Sequence, residues 1–324
     1  MKKLICLTLV LLSLPHISAS AATDDSYIKW IDFTPTYSAM SDALEADIAA
    51  HAEGRSLSWV DILAYHAAKN GGNFSSYKAA DTAKLASLMS DGSDITEHVG
   101  NTKLFNYYRR AYGAVLGGLV GEYTQVCISD DGSETRQAAY GLRGYSPIAA
   151  GYYYADFDDF GASRSYGYRR RHLGHDLMGS VGTPVIAVES GYAEAVGWNQ
   201  YGGWRIGIRS DDRLRYYYYA HLRKDNPYAP GLAEGQHVSA GDVIGFMGRT
   251  GYSHKENVNN IETVHLHFGM ELVFDESQKE CNSEIWIDVY NIVRLLSSHR
   301  SSVYYNKESG RWERLYPFRD LDAD

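Results

Sequence analysis

The chain has 324 residues, of which 44% are hydrophobic and 22% are charged, so it is long enough for more than one compact unit. The formal net charge is −9. A chain with that balance offers no basic surface of the kind that nucleic acid requires, and we therefore exclude nucleic-acid binding as a leading function.

The first 21 residues have the pattern of an export signal. Lys2 and Lys3 precede the apolar run LICLTLVLLSL, which Pro15 and the small-residue stretch ISASAA follow. This is the charged, apolar and A-x-A order of a secretory signal, with Ala19-Ser20-Ala21 as the expected cleavage site. The run is short for a membrane span, and an uncleaved membrane anchor is the alternative. We expect an exported protein, extracellular, cell-surface or periplasmic, with no stable span after cleavage.

Two cysteines, Cys127 and Cys281, remain after the signal. An exported chain permits a disulfide between them, and two buried free thiols fit the sequence equally well. Neither cysteine is assigned a catalytic role.

Residues 22–126 are predicted to form a helical domain, whose role its residues do not reveal. Four helices are indicated by these signals: Tyr37, Met40, Leu44 and Ile48 at helical spacing; a capping box from Ser58 to Asp61 with Gly71-Gly72 as the stop; Leu85, Leu88 and Met89; and the segment 104–120. His66 falls on an apolar face of the second helix, where a structural core histidine is the expected role.

From about residue 127 the pattern changes to short apolar runs separated by glycines and other turn residues. Residues 127–156 are interpreted as a connecting segment and 157–275 as a second domain. Its predicted strands are 185–188, 204–210, 214–222, 243–246 and 264–272, with a hairpin at Asp211-Asp212. Several strands at short spacing without long helices between them favour an antiparallel sheet or partial barrel.

Residues 276–324 are predicted to form a C-terminal extension, with helical spacing over 284–298 and a polar surface tail after it. The predicted fold class is therefore α+β: a mostly antiparallel β domain, preceded by a helical domain and followed by a short helical extension.

The strand VHLHFGM, residues 264–270, places two histidines side by side. Side chains alternate between the two faces of a strand, so His265 and His267 project together, away from the apolar residues between and around them. An H-x-H pair is a metal-binding signal of limited specificity when it stands alone.

A second histidine motif lies in RRRHLGHDLMGSVGTPV, residues 169–185. We interpret it as a strand, because its glycines and Pro184 argue against a helix. His172, Gly174 and Asp176 then share one face, whereas His175 points the other way and is expected to be structural. A solvated histidine and aspartate on a loop are the alternative explanation of H-x-x-x-D.

Together these motifs predict a metal site. A catalytic zinc ion takes three protein ligands and leaves one position open for water. His172, Asp176 and one histidine of the HLH strand would supply three ligands, and the two cysteines lie outside both motifs. His221, in Tyr219-Ala220-His221-Leu222, ends an aromatic strand. It either caps the sheet or, beside a metal, is a polar group close to the reacting carbonyl.

Six motifs, in their order along the chain, resemble the lysostaphin and LytM-type zinc endopeptidases. They are H-x-x-x-D at 172–176, G-T-P-V-x-A at 182–187, Y-A-H-L at 219–222, G-x-x-V-x-x-G-D-V-I-G at 235–245, G-x-T-G-x-S at 248–253 and H-L-H-F at 265–268. Phe160-Gly161 and Arg164 resemble the family's upstream segment. The resemblance covers about residues 157–273 and leaves the helical domain and the C-terminal extension outside it.

The resemblance implies that His172, Asp176 and His267 ligate one Zn²⁺ ion. His265 and His221 match the family's two catalytic histidines that do not bind the metal. The implied fold is a mostly antiparallel β domain with a groove over the metal, and the implied substrates are peptides of bacterial peptidoglycan. Oligomeric state is not implied.

The chain departs from the family in two places, and other interpretations stay open. A polar loop, HKENVNNIETV, joins Ser253 to His265 and is either a groove wall or a surface insertion; Gly269 replaces a common glutamate that Glu271 could substitute for. A non-catalytic LytM-type scaffold or activator of another cell-wall enzyme is the alternative function, and an adhesion protein working through its helices is another. The helical segment could also cover the groove until it is removed.

Overall fold

The computed structural model describes residues 31–128, 133–166, 168–279, 283–316 and 318–320. The export signal and Cys281 lie outside these residues, so both the signal and the disulfide stay predictions. Within them, no helix has the length and apolarity needed to cross a membrane.

Four α-helices occupy the first part of the chain: α1 (Tyr37–Ala52), α2 (Trp59–Asn70), α3 (Ala79–Leu88) and α4 (Thr102–Leu116), with short 3₁₀ turns at Met89–Asp91 and Ile95–His98. Side chains of Thr36, Ser58 and Asn101 accept hydrogen bonds from the first free N–H groups of α1, α2 and α4. Gly71 ends α2 in the left-handed conformation, as the sequence predicts. The helical prediction is confirmed, except that the fourth helix stops at Leu116.

The strands within the described residues are β1 (Val120–Ile128), β2 (Glu134–Leu142), β3 (Ala155–Asp156), β4 (Ser163–Tyr166), β5 (Tyr168–Arg171), β6 (His175–Met178), β7 (Pro184–Ile186), β8 (Gly191–Asn199), β9 (Gly203–Ser210), β10 (Arg215–Ala220), β11 (His237–Val238), β12 (Val243–Phe246), β13 (His265–Leu272), β14 (Ile285–Ile287), β15 (Val303–Asn306), β16 (Arg311–Arg314) and β17 (Phe318–Asp320). A further 3₁₀ turn spans Glu276–Gln278, and α5 spans Tyr290–Leu296.

An eight-stranded sheet organises the second domain. Its order is β11-β8-β9-β10-β13-β6-β3, with β14 also paired to β13. Every registered pair in it is antiparallel. The hairpin predicted at Asp211-Asp212 joins β9 to β10. The predicted α+β class with a mostly antiparallel β domain is confirmed.

Strand β13 is central to that sheet and divides its residues between two environments. Leu266, Phe268 and Met270 are fully buried in the core. Because side chains alternate along a strand, His267 and Glu271 face the opposite side, where an open cleft lies.

The C-terminal extension differs from its prediction. Helical spacing was expected over 284–298, but Ile285–Ile287 forms β14 and only Tyr290–Leu296 is helical. Ile285 and Ile287 are buried while Trp286 between them is partly exposed, so these three residues alternate as a strand and extend the sheet beside β13. The predicted surface tail contains the β15–β16 hairpin.

The helical region and the sheet share one hydrophobic core. A buried polar contact also joins them, because Nη1 of Arg215 on β10 donates to the carbonyl oxygen of Ala114 on α4 at 2.8 Å. The same guanidinium binds Glu189, with Nε 2.7 Å and Nη2 2.9 Å from its carboxylate oxygens.

Candidate metal centre

Three side chains predicted to bind metal converge on one point. Nε2 of His172 lies 2.9 Å from Nδ1 of His267, and Oδ1 of Asp176 lies 3.0 Å from each of these nitrogens. Among the described residues, this is the group of three or more histidine, cysteine, aspartate or glutamate side chains that could hold an ion.

The sheet register brings two of the three together. His267 on β13 pairs directly with Asp176 on β6. The third, His172, follows the last residue of β5 and lies outside any strand. The predicted continuous strand through His172 and Asp176 is therefore wrong. Strand β5 pairs with β4 while β6 pairs with β13, so the chain must turn between them, and the turn carries His172 to the same point.

Gly174 makes this convergence sterically possible. A Cβ at that position would lie 2.5 Å from Cε1 and 2.6 Å from Nε2 of His267, and 2.9 Å from the carbonyl oxygen of Phe268. These separations are too short for any side chain, so the imidazole of His267 occupies the space that glycine leaves free.

Two further side chains, a carboxylate and an arginine, lie beside the three donors. The sequence indicated no role for either of them. Nδ1 of His172 lies 3.2 Å from the backbone carbonyl oxygen and 3.2 Å from Oδ2 of Asp159. Arg164 contacts Oδ2 of Asp159 and, at 3.4 Å, Oδ2 of Asp176. Partners of this kind fix the orientation and tautomer of a metal-binding histidine. The Phe160-Gly161 and Arg164 motif was the only sequence signal near them.

The local environment keeps the donors in forms that bind metal. Burial raises the pKa of Asp176, but the contacts with His172 and His267 outweigh burial and hold that pKa well below its usual range. Burial lowers the pKa of His267 more than Asp176 raises it. A carboxylate and a neutral imidazole are the ligating forms of these residues.

His221 and His265 lie beside the three donors without joining them. Their ring centroids are 4.7 Å apart, and Nε2 of His265 lies 3.7 Å from Oδ1 of Asp176. Nδ1 of His221 is 2.9 Å from the carbonyl oxygen of Thr250, and Nδ1 of His265 is 2.9 Å from that of Thr263. A carbonyl oxygen only accepts, so each Nδ1 carries the proton and each Nε2 of a neutral ring has a free lone pair.

His175, expected to be structural, points away from this cluster. It is buried, and its Nε2 lies 3.0 Å from Oδ2 of Asp156. Glu271, the suggested substitute for the family's glutamate, makes no hydrogen bond to the three donors, and Asp159 has the position beside His172 instead.

The cluster lies in an open cleft of about 540 Å³. Residues of β5, β9, β10, β13 and β14 line it, together with the turn after β5. Within the described residues, none of its lining side chains comes from the helical region, so the described helices do not cover it. Residues 254–264, the loop between Ser253 and His265, do not line the cleft, and His254 is exposed. Tyr252 just before that loop does line it.

Residues 170–280 match the model of peptidase family M23, so the chain carries a domain of that family. The domain is of the lysostaphin and LytM type. It is similar to lysostaphin of Staphylococcus simulans, with 39% identity over 98 residues, 30% of this chain and 17% of that protein.

The similarity to L-Ala–D-Glu endopeptidase of Bacillus subtilis (strain 168) is longer. It reaches 37% identity over 183 residues, which is 56% of this chain and 51% of that protein. The chain thus spans about half of the Bacillus relative and less than a fifth of lysostaphin.

A solved LytM structure from Ruminococcus gnavus (ATCC 29149) shares the fold well beyond the M23 segment. The TM-score is 0.53 at 24% identity, covering 87% of this chain and 95% of that one. The likeness includes part of the helical region and shows the common fold alone.

Proposed function

We propose that this protein is an exported zinc metalloendopeptidase that hydrolyses peptide bonds of bacterial peptidoglycan, in cross-links or stem peptides. The observation that carries the proposal is the convergence of His172, Asp176 and His267 in an open cleft of an M23 domain. The export pattern of the first 21 residues supports action outside the cytoplasmic membrane.

The donor set fits one Zn²⁺ ion. Two imidazoles and a carboxylate are a common protein ligand set of catalytic zinc, which keeps a further position open. When bound, zinc lowers the pKa of a coordinated water towards about 7 and polarises the carbonyl of the scissile bond. Asp159 would hold His172 in the tautomer that presents Nε2 to the ion, and Arg164, which contacts both neighbouring carboxylates, would keep them in place.

His265 and His221 are proposed to handle the proton of the attacking water. Their Nδ1 protons are held by backbone carbonyls, so Nε2 of each ring is the basic atom available. We assign His265 as general base, which then returns the proton to the leaving amine. Burial, and then the neighbouring His265 and His267, lower the pKa of His221 well below its usual value. A neutral His221 accepts at Nε2, which favours orienting the water over donating to the oxyanion.

The relatives' names support the substrate class. The Bacillus protein is named for the L-Ala–D-Glu bond, and a Staphylococcus capitis relative, 39% identical over 98 residues, is named glycyl-glycine endopeptidase ALE-1. The two names denote a bond between L-Ala and D-Glu and a bond between two glycines. The cleft is open along one side of β13 and can receive an extended peptide.

The test is mass spectrometry of fragments released from defined peptidoglycans by the zinc-loaded wild type and by His267→Ala. Zinc content of both proteins is measured in parallel. The proposal predicts one ion per chain and cleaved stem or bridge peptides for the wild type, and neither for His267→Ala. A wild type that binds peptidoglycan without cleaving any peptide bond would favour the scaffold or activator role instead.

A further inference from the structure

Glu271 lies in the same cleft as the metal-binding cluster, farther along β13. His267, Gly269 and Glu271 occupy alternate positions of this strand and therefore share its cleft face. Four residues of strand span about 13 Å, which separates Glu271 from the proposed site of bond cleavage. A Cβ at Gly269 would lie 2.7 Å from the Trp286 ring, so this ring covers the strand between the two.

The carboxylate of Glu271 is buried without a partner. The residue is 3% exposed, and within the described residues its Oε1 has no hydrogen-bond partner. Buried polar atoms in folded proteins are almost always hydrogen-bonded, so this carboxylate oxygen, which lines the cleft, is available to a donor that enters it. Neither Glu271 nor its neighbour Glu284 forms a salt bridge to any described residue, whereas Trp286 Nε1 donates to Oε2 of Glu284 at 2.7 Å.

The third carboxylate of this region is already paired. Glu194 accepts from Nε of Arg209 at 2.8 Å and also contacts Nζ of Lys279. Arg209 and Lys279, the two cations whose charges act on Glu271, are therefore bound by Glu194, and Lys279 has a second partner in Glu276 at 3.3 Å. This leaves Glu271 and Glu284 as the acidic pair that faces the cleft.

Three arginines lie towards the metal-binding cluster. Arg164, Arg170 and Arg171 belong to β4 and β5 and line the cleft beside the turn that carries His172. Arg205 on β9 also lines the cleft, and its charge acts on Tyr216, the residue that pairs with Glu271 across the sheet. The cleft therefore has three arginines beside the proposed metal ligands and, at Glu271 and Glu284, two carboxylates that form no salt bridge within the described residues. An extended peptide with a cationic group would be oriented by this difference.

We propose that Glu271 and Glu284 form a subsite that binds a primary ammonium group of the substrate peptide. The proposal rests on the proposed peptidase function and names one chemical determinant of its substrate. An ammonium group has three N–H donors and can bind both carboxylates at once. The ring of Trp286, which also lines the cleft there, is suited to contact a cation, whereas Arg209 already lies over the Tyr216 ring at 5.8 Å from its centroid. The separation of about 13 Å places the residue that carries the amine a few positions from the scissile bond. If a long side chain carries the amine, that residue lies fewer positions away.

The protonation of Glu271 gives the subsite a measurable signature. Burial, and then the charge of Glu284, raise the pKa of Glu271 to about 8. The charged and titratable groups around it are Glu284, Glu194, Arg209, Lys279 and Tyr216. Below pH 8 the free carboxyl is mostly protonated. A bound cation favours the carboxylate and lowers this pKa, so binding at pH 7 releases close to one proton.

Calorimetry on the full mature chain without zinc tests the subsite independently of catalysis. The probes are the synthetic peptide Ala–D-Glu–Lys–D-Ala and two derivatives, acetylated on the lysine side chain or on the N-terminus. We expect side-chain acetylation to weaken binding to the wild type at least tenfold. Glu271→Gln, which keeps the size of the side chain, should bind the free amine at least tenfold more weakly and abolish proton release. The matched control Glu262→Gln, an exposed loop residue outside the cleft, should behave as wild type.

The outcomes of this experiment distinguish a failure of the subsite from a failure of the proposed peptidase function. If only N-terminal acetylation weakens binding, and only when Glu271 is present, the subsite holds and takes the terminal amine. Equal affinity for all three peptides, unchanged discrimination in Glu271→Gln, absent proton release, or no binding up to millimolar peptide would overturn it. Hydrolysis of the same peptides by the zinc-loaded enzyme is scored separately. Amine-dependent binding without any cleavage would overturn the peptidase function and leave the subsite standing.

Discussion

Asp159 is the residue whose contribution the sequence gave least reason to expect. It faces Nδ1 of His172 with both its backbone carbonyl and its side chain, and Arg164 binds the same carboxylate. We predict that Asp159→Asn lowers zinc affinity about 10- to 100-fold, because the amide oxygen is a weaker acceptor than the carboxylate that faces Nδ1 of His172. Competition with a coloured chelator measures the change. Asp158→Asn, an exposed neighbour, is the control, and equal affinities of the two variants would refute the role of Asp159.

Three of the four histidines that line the cleft, His221, His265 and His267, should give two kinds of variant. His265→Ala and His221→Ala are predicted to retain one zinc per chain and to lose about 10²- to 10⁴-fold in kcat, because they remove proton transfer without removing a ligand. His267→Ala should lose the metal as well. Zinc content and steady-state hydrolysis of a defined peptidoglycan peptide measure both effects. Loss of zinc from His265→Ala to the same extent as from His267→Ala would mean that the ligands were assigned incorrectly.

At the scale of elements, the turn between β5 and β6 is as important as the strands that it joins. Gly174 leaves no space for a Cβ beside His267 and the carbonyl oxygen of Phe268. We predict that Gly174→Ala displaces the His267 ring and lowers zinc affinity by at least tenfold, while the domain stays folded. Gly197→Ala is the matched control, because a Cβ there meets nothing within 4 Å. Zinc titration measures the affinity of each variant, and circular dichroism checks that each one is folded. Unchanged zinc binding in Gly174→Ala would contradict this account.

Elements whose signal is local could be predicted from the sequence. The alternation of His265 and His267 with buried apolar residues identified β13 and its two faces, and Ser58 and Gly71 identified both ends of α2. Elements that form only through long-range strand pairing could not be predicted in this way. Ile285–Ile287 is a strand only because β13 offers an edge, although its neighbours have helical spacing.

The same distinction between local and long-range signals applies to the candidate site. Its three proposed ligands came from motif order, and the structure brings them together. The predicted path of the chain between His172 and Asp176 was wrong, because the alternation of side chains along a strand does not reveal where the strand ends. Asp159 and Glu271 required the structure, since a lone carboxylate in a sequence does not show what lies opposite it.

At the scale of the whole molecule, the helical region is joined to the M23 domain by a shared core and by a buried hydrogen bond from Arg215. Arg215 is 1% exposed and connects Glu189 to the carbonyl oxygen of Ala114 on α4. Burial would lower the pKa of Arg215, but Glu189 reverses that effect and holds it above its usual value. The guanidinium therefore stays charged, and removing it would leave Glu189 buried without a counter-charge.

We predict that Arg215→Met destabilises the protein by about 3–5 kcal/mol, the usual cost of breaking a buried pair by removing one partner. Urea unfolding followed by both circular dichroism and tryptophan fluorescence measures this loss. The two probes should give one common transition, since the helices and the sheet share one core. Arg311→Met, at an exposed position on β16, should change stability by less than about 0.5 kcal/mol. Two separate transitions in the wild type would show that the helical region folds independently.

The most direct measurement of the central claim is anomalous X-ray diffraction at the zinc absorption edge from crystals of the zinc-loaded protein. We predict one strong peak about 2.0–2.2 Å from Nε2 of His172, Nδ1 of His267 and a carboxylate oxygen of Asp176. Nε2 of His265 and of His221 should face the ion without coordinating it. A peak elsewhere in the molecule, or an ion that any one of the three proposed ligands does not touch, would contradict the account.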